Sequence, residues 1–211
     1  IGGIEDSERP IHFILGGNKP KDAVKIVEKI FEDDIADLAI LGGSPGQIFL
    51  QVKGEDLGKT EHDVEGMEDG IQELMDNHGD KIVLPVDFAY EKDQMRKEID
   101  VESLPAEEEL FDIGTETIET FNKKLSNAET VVMNGPVGVF ENNNFKKGTE
   151  KILEYLKESD KYVLVGGGDT SKAIEEFGFD IEDDYSHVSL AGGAFVKALL
   201  GEELVGVEAL R

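Results

Sequence analysis

Short apolar runs recur along the chain, separated by longer stretches in which apolar residues are sparse. The runs fall at residues 11–15, 37–41, 81–86, 130–133, 162–165 and 187–190, and most are rich in β-branched residues. Most are continuously apolar rather than alternating, which marks strands covered on both faces, as in a parallel sheet flanked by helices. Between them, residues 23–31, 70–75, 118–125 and 149–156 carry apolar positions three and four apart, the spacing of a helix with one buried face. Strand alternating with helix predicts a doubly wound α/β domain: a mainly parallel six-stranded sheet with helices on both faces, a Rossmann-like three-layer sandwich. Its crossovers are right-handed and its ligands bind at the carboxyl ends of the strands. Residues 88–113 break the rhythm with a polar stretch and Pro105. A structureless loop of that length is unusual in a compact domain, so a short extra strand is expected near residues 96–101. Residues 1–9 read as a leader or interdomain segment and 10–211 as the domain, with no internal repeat.

Composition narrows the function classes. The 211 residues suffice for a substantial core, and no apolar run approaches the roughly 20 residues of a membrane-spanning helix. Ile1 begins neither a signal peptide nor a normal initiation sequence, so the chain reads as a fragment or processed piece. The absence of cysteine excludes disulfides, thiol nucleophiles and thiolate metal sites, and it fits a cytoplasmic setting. Asp and Glu number 47 against 21 Lys and Arg, a formal charge of −26, and the only arginines are Arg9, Arg96 and Arg211. Nucleic acid and anionic membrane both need a basic footprint, so neither is expected as a partner. Acidic runs such as 107–109 and 182–184 read as a solvated face.

Each strand ends in a glycine-rich or acidic turn. In the fifth, Gly166-Gly167-Gly168-Asp169-Thr170, three glycines let the backbone approach a ligand with no Cβ in the way. The helix beyond offers unpaired N–H groups and a partial positive charge to an anion such as phosphate. Asp169 is placed to hold the metal ion that accompanies phosphates. The first turn, residues 16–21, adds two glycines and the mobile charges of Lys19 and Lys21, with Pro20 suited to a helix start. Taken alone, that turn is better served by plain turn chemistry than by a ligand role, as are the second (42–46) and the sixth (191–194). Neither the Gly-x-x-x-x-Gly-Lys-Ser/Thr loop nor a Gly-x-Gly-x-x-Gly after the first strand is present. The fourth turn is more specific: Gly138 and Val139 can form a flat apolar shelf for a base, and Glu141 can accept hydrogen bonds from ribose hydroxyls. His12 and His187 fall within strands and read as structural, His62 and His78 as surface residues.

These motifs together resemble those of phosphoglycerate kinase. Val131-Val-Met-Asn-Gly-Pro-Val-Gly-Val-Phe-Glu141 is similar to that family's Trp-Asn-Gly-Pro-Met-Gly-Val-Phe-Glu, and Val165-Gly-Gly-Gly-Asp-Thr170 to its nucleotide-phosphate loop. Leu15-Gly-Gly-Asn-Lys19, Leu84-Pro-Val-Asp87 and His187-Val-Ser-Leu-Ala-Gly-Gly-Ala194 also resemble family motifs, as does Gly206-Val-Glu-Ala-Leu210. The resemblance covers the family's C-terminal, nucleotide-binding domain, with no counterpart of the N-terminal domain that binds 3-phosphoglycerate. It implies phosphoryl exchange between 1,3-bisphosphoglycerate and ADP with Mg²⁺, by a monomer whose ligand here is ATP or ADP. It implies that Lys19 approaches the transferring group together with Gly167 and Gly168, and that Gly166, Gly167, Gly168 and Thr170 donate hydrogen bonds to the nucleotide phosphates. By the same resemblance Asp169 binds Mg²⁺, Asn134 sits by the phosphates beside the Gly16-Gly17 turn, and Glu141 holds the ribose. Gly42, Gly43, Phe111, Pro136, Gly138 and Val139 would line the adenine site. Departures are Ala23, where many members carry a second lysine that Lys21 can replace, Met133 in place of Trp, and Leu190-Ala191 in place of Thr-Gly. A stand-alone nucleotide sensor or partner-binding module and a Rossmann-type NAD oxidoreductase domain remain as alternatives.

A charge of −26 repels itself at low salt, whereas at 1 M salt the screening length falls to about 3 Å, so the balance points to a halophilic source. The thermal midpoint is therefore expected to rise as salt is raised toward molar concentration. A scan showing a flat or falling midpoint would contradict this.

Overall fold

The computed structural model describes residue 4 and residues 7–190. The chain begins with strand β1 (Ile11–Leu15), helix α1 (Pro20–Glu32), β2 (Leu38–Leu41), α2 (Gly43–Val52), α3 (Glu68–His78) and β3 (Ile82–Val83). Three strands follow with no α-helix between them: β4 (Asp87–Lys92), β5 (Met95–Asp100) and β6 (Leu110–Ile113). Alternation then resumes with α4 (Thr115–Leu125), β7 (Thr130–Asn134), α5 (Lys147–Lys157), β8 (Tyr162–Gly166), α6 (Gly168–Glu176) and β9 (His187–Ser189). Six strands form one sheet in the order β3-β2-β1-β7-β8-β9, every neighbouring pair parallel. The chain starts at the middle, winds outward to β3, then returns to β7 and winds the other way. The turns after β1 and β7 therefore lie side by side and lead to helices that diverge, which is the crevice of a doubly wound sheet.

Alternate strand residues feed two cores. Phe13, Leu15, Val132 and Leu164 point to one face, where Val24, Val27 and Ile30 of α1, Phe49 of α2 and Ile71 of α3 meet them. Ile14, Val131, Met133, Val163 and Val165 point to the other, against Phe121 of α4, Ile152 and Leu156 of α5 and Ile174 of α6. This double coverage is why the strands read as continuously apolar. α1 starts with Pro20, whose missing N–H no helix start requires, and its last turn carries a Lys29 Nζ–Asp33 Oδ2 pair at 2.7 Å. Among the described residues no helix is long and apolar enough to cross a membrane.

The expected strand over 81–86 pairs only at Ile82 and Val83. Pro85 has no N–H to give a ladder, and the chain leaves the sheet there. The expected irregular segment is instead an antiparallel sheet of order β5-β4-β6, in which the extra strand foreseen near 96–101 is the edge strand β5. Its hairpin turns on Asp93 and Gln94, with φ of 53° and 61°. Asp87 roots this sheet on the larger domain. Buried at the start of β4, it accepts hydrogen bonds from Thr117 N (2.7 Å) and Glu116 N (3.1 Å), capping α4 from another element. Thr117 Oγ1 in turn accepts from Val86 N, at 3.0 Å.

Phe121 is fully buried between α4 and the sheet, while Met95 is 53% exposed on β5. Phe121→Ala is expected to cost about 3–5 kcal/mol in denaturant unfolding, and Met95→Ala less than about 0.5 kcal/mol. Equal costs would contradict the assignment of these faces.

Candidate functional site

The two turns at the reversal of strand order interlock through backbone. Gly16 N donates to Asn134 O at 3.0 Å and Gly17 N to Pro136 O at 2.7 Å. A Cβ on Gly16 would lie 2.2 Å from Pro136 O, so only glycine admits this approach. The turn after β2 joins the same cluster, with Gly43 N donating to Val137 O (3.0 Å) and Ser44 N to Gly17 O (3.0 Å). Gly17 and Gly43 have φ of 81° and 52°, a region side chains avoid.

The fifth turn completes the floor. Gly167, at φ 103°, precedes α6 and donates its N–H to Ser189 O at 3.1 Å. Thr170 is fully buried, and its Oγ1 accepts from Gly135 N at 2.9 Å, tying α6 to the turn after β7 while keeping its own O–H to donate. The N–H groups of the first turn of α6 have no intrahelical acceptor, and a Cβ on Gly168 would meet nothing within 4 Å, so this end is open to an anion. Asp169 is exposed beside it, 3.5 Å from Lys172 Nζ.

A cleft of about 510 Å³ opens over these turns. It brings together Gly17, Gly43, Phe111, Pro136, Gly138, Val139, Glu141 and Asp169 of the residues singled out in the sequence. Gly16, Gly42, Asn134, Gly166, Gly167, Gly168 and Thr170 stand behind or beside it, and Lys19 is exposed at the N-cap of α1, outside its lining. Residues 191–194 lie outside the described residues. Phe111 packs on buried Phe145 at 4.8 Å between ring centroids, and its carbonyl accepts from Val139 N at 2.8 Å. Val139 is 42% exposed and presents an apolar face. A larger cleft, about 850 Å³, flanks β3 and includes none of the sequence-derived site residues.

The wall formed by residues 59–62 was not legible. His62, expected at the surface, is half-buried: its backbone N–H donates to Gln51 Oε1 (2.9 Å) and its Nε2 lies 2.8 Å from Gln47 Oε1. Gln47 Nε2 donates to Leu110 O at 3.2 Å, which fixes the amide and requires His62 Nε2 to carry its proton. Burial lowers the His62 pKa, so the ring is neutral at pH 7. The available signal was the pair of glutamines four apart on α2. His78 is also half-buried, stacked on Phe31 with ring centroids 4.9 Å apart. His12 is buried in β1, and desolvation lowers its pKa against the pull of Asp37.

Behind the cleft, Asp112 is buried next to Phe111. Its Oδ2 accepts from Arg96 Nη1 and from Gly148 N, each at 2.8 Å. Arg96 also donates to Ile113 O (2.8 Å) and Asn144 O (3.2 Å) and is paired with Glu98 Oε1 at 3.1 Å. Asp112 Oδ1 is buried without a hydrogen-bond partner. Desolvation raises the Asp112 pKa to about 6 despite Arg96.

The class defined by this fold is a doubly wound α/β domain whose glycine turns gather at one edge of a parallel sheet. The sequence profile of one family of that class, phosphoglycerate kinase, matches residues 2–202. The chain belongs to the phosphoglycerate kinase family. It is 39% identical to phosphoglycerate kinase of Staphylococcus epidermidis over 216 residues, covering 100% of this chain and 53% of that protein. It is 39% identical to that of Halorubrum lacusprofundi, covering 95% of this chain and 51% of that protein. The crystal structure of phosphoglycerate kinase from Pyrococcus horikoshii matches with a TM-score of 0.85 at 33% identity, over 97% of this chain and 52% of that one. The chain thus spans about half the length of the relatives it matches.

The Asp112 pKa in the folded protein lies above its ordinary value of 3.8, so between those values the native state binds more protons than the unfolded chain. This group therefore makes stability fall as pH rises from about 4 to about 6 and adds no slope above that range. Carboxyl-detected NMR is expected to show Asp112 titrating near pH 6 in the folded state. A midpoint below 4 would contradict this.

Proposed function

We propose that residues 10–211 are the nucleotide-binding domain of a phosphoglycerate kinase, which transfers a phosphoryl group between 1,3-bisphosphoglycerate and ADP. The observation that carries the reading is the convergence of three glycine turns and the open N-terminus of α6 on one cleft with an apolar shelf. Family membership gives that convergence its chemistry. Phosphoryl transfer needs positioning and dispersed positive charge rather than a covalent nucleophile. In this reading the N–H groups of Gly168 and Asp169 and the hydroxyl of Thr170 hold the phosphates, with Gly167, whose own N–H is taken by Ser189 O, giving them a close approach. Lys19 reaches the transferring group from the N-cap of α1, and Asn134 and the Gly16-Gly17 turn fix the approach. The base lies on Gly138 and Val139 against Phe111, Pro136 and the Gly42-Gly43 turn, with the ribose at Glu141.

A magnesium ion fits this arrangement. Mg²⁺ in phosphoryl-transfer sites takes one or two carboxylates and fills its remaining positions from phosphates and water. Asp169, exposed at the mouth of the cleft, supplies such a carboxylate, and among the described residues no group of three acids or histidines forms a cage without the nucleotide. When bound, the ion would neutralise charge on the phosphate oxygens. The 3-phosphoglycerate side of the reaction would belong to the half of such a kinase that this sequence does not span. The protein would act as a monomer in the cytoplasm of a salt-adapted organism, which the charge of −26 supports.

The 211-residue polypeptide is expected to bind MgADP in calorimetric titration and to turn over negligibly alone. Asp169→Ala is expected to weaken binding by about tenfold, or ~1.4 kcal/mol. Unchanged affinity would remove Asp169 from its role, and normal turnover by this polypeptide would overturn the division of the active site.

A further inference from the structure

We propose that Arg96 and Asp112 are a positioning pair that sets the shelf on which the nucleotide base lies. The inference rests on the nucleotide reading above, but neither residue touches the cleft.

The shelf has two parts from different elements. Phe111 belongs to β6, whereas Gly138 and Val139 belong to the turn after β7. One backbone hydrogen bond, Val139 N to Phe111 O at 2.8 Å, joins them on the cleft side. A second connection between the two parts lies behind, at Asp112. Its Oδ2 takes the N–H of Gly148 at the start of α5. Its Oδ1 is packed so closely against the turn that a Cβ on Gly138 would lie 2.0 Å away, and one on Gly148 2.2 Å away. The carboxylate thus fills the space that two missing side chains leave.

Arg96 holds that carboxylate from the edge strand β5 of the same antiparallel sheet. Its guanidinium spans Asp112 Oδ2, Ile113 O and Asn144 O, so a single planar group ties β6 to the segment between Glu141 and α5. Glu98 Oε1 accepts from both Nε and Nη2 of Arg96 at 3.1 Å, which orients the fork, and its other oxygen takes Thr115 N at 3.2 Å. The side chain of Arg96 is 16% exposed and that of Asp112 fully buried, so water does not substitute readily for either partner. The edge strand β5, which has no part in the phosphate turns or the cleft lining, therefore reaches the base subsite through the ion pair and hydrogen bonds of Arg96.

The test is a calorimetric titration with MgADP combined with amide NMR of the 211-residue chain and its Asp112→Asn variant. Asparagine keeps the shape and removes the charge. The expected result is at least a tenfold rise in Kd. The ADP-induced amide shifts at Gly138 and Val139 should fall by half or more, while those at Gly166 to Thr170 persist at saturating ADP. A merely structural role would move both sets together, and that outcome overturns the proposal, as does a Kd within twofold of the unaltered chain. If Asp112→Asn does not fold, Glu98→Gln, changed at the partly exposed end of the network, is expected to show the same local loss with about a threefold rise in Kd. Unchanged shifts in Glu98→Gln would overturn the positioning role. Failure of the unaltered chain to bind MgADP would overturn the nucleotide reading and this inference with it, whereas normal binding with unchanged variants overturns this inference alone.

Discussion

The structure depends on one close approach, the contact of the Gly16-Gly17 turn with Gly135-Pro136 where the strand order reverses. Gly135 has φ of 91° and would place a Cβ 2.5 Å from the carbonyl carbon of Gly16, while Gly16 would place one 2.2 Å from Pro136 O. Both turns must be bare for β1 and β7 to pair over their full length to Leu15 and Asn134. Once they do, the helices that follow diverge, and the crevice between them forms as a by-product of topology. Thr170 then anchors α6 to Gly135, and Ser44 anchors α2 to Gly17, so three helix starts inherit their position from one backbone contact.

What the sequence revealed and concealed follows from how each feature arises. The inner parallel strands β1, β2, β7 and β8 are legible because both faces are buried, and the helices because each buries one stripe. The glycine turns are legible because a close backbone approach leaves a residue type as its trace. The antiparallel sheet is not, apart from one strand. The missed strands β4 and β6 each bury only three residues, too few for a distinct apolar run, and the β4–β5 hairpin turns on Asp93 and Gln94 rather than on glycine. The far wall of the cleft and the pair behind it were hidden for another reason. His62 meets Gln47 across 15 residues and Arg96 meets Asp112 across 16, through packing that no local periodicity encodes.

Electrostatics divides the molecule into two regimes. The surface carries most of an excess of acid that dominates the formal charge. Most of its ion pairs, such as Lys59–Glu108 and Lys92–Glu107, are solvent-exposed and add little to stability. At the cleft, Lys59 is the basic side chain of the lining, and the open N-terminus of α6 adds oriented backbone N–H groups. Of the three arginines in 211 residues, Arg96 is committed to largely buried structure.

Asp87 carries a consequence for how the chain can change over time. The carboxylate caps α4 and occupies the space above Gly114, where any added Cβ would sit 2.0 Å from Oδ2, and Thr117 answers it with both its N–H and its hydroxyl. Gly114 can gain a side chain only after Asp87 is shortened, and shortening Asp87 strips the cap from α4. The three residues can drift only as a set, so the path between alternatives is closed to single steps. Asp87, Gly114 and Thr117 are thus held in place together by folding. The requirement is met in full without any ligand, so the presence of these three residues speaks for the fold and says nothing about turnover.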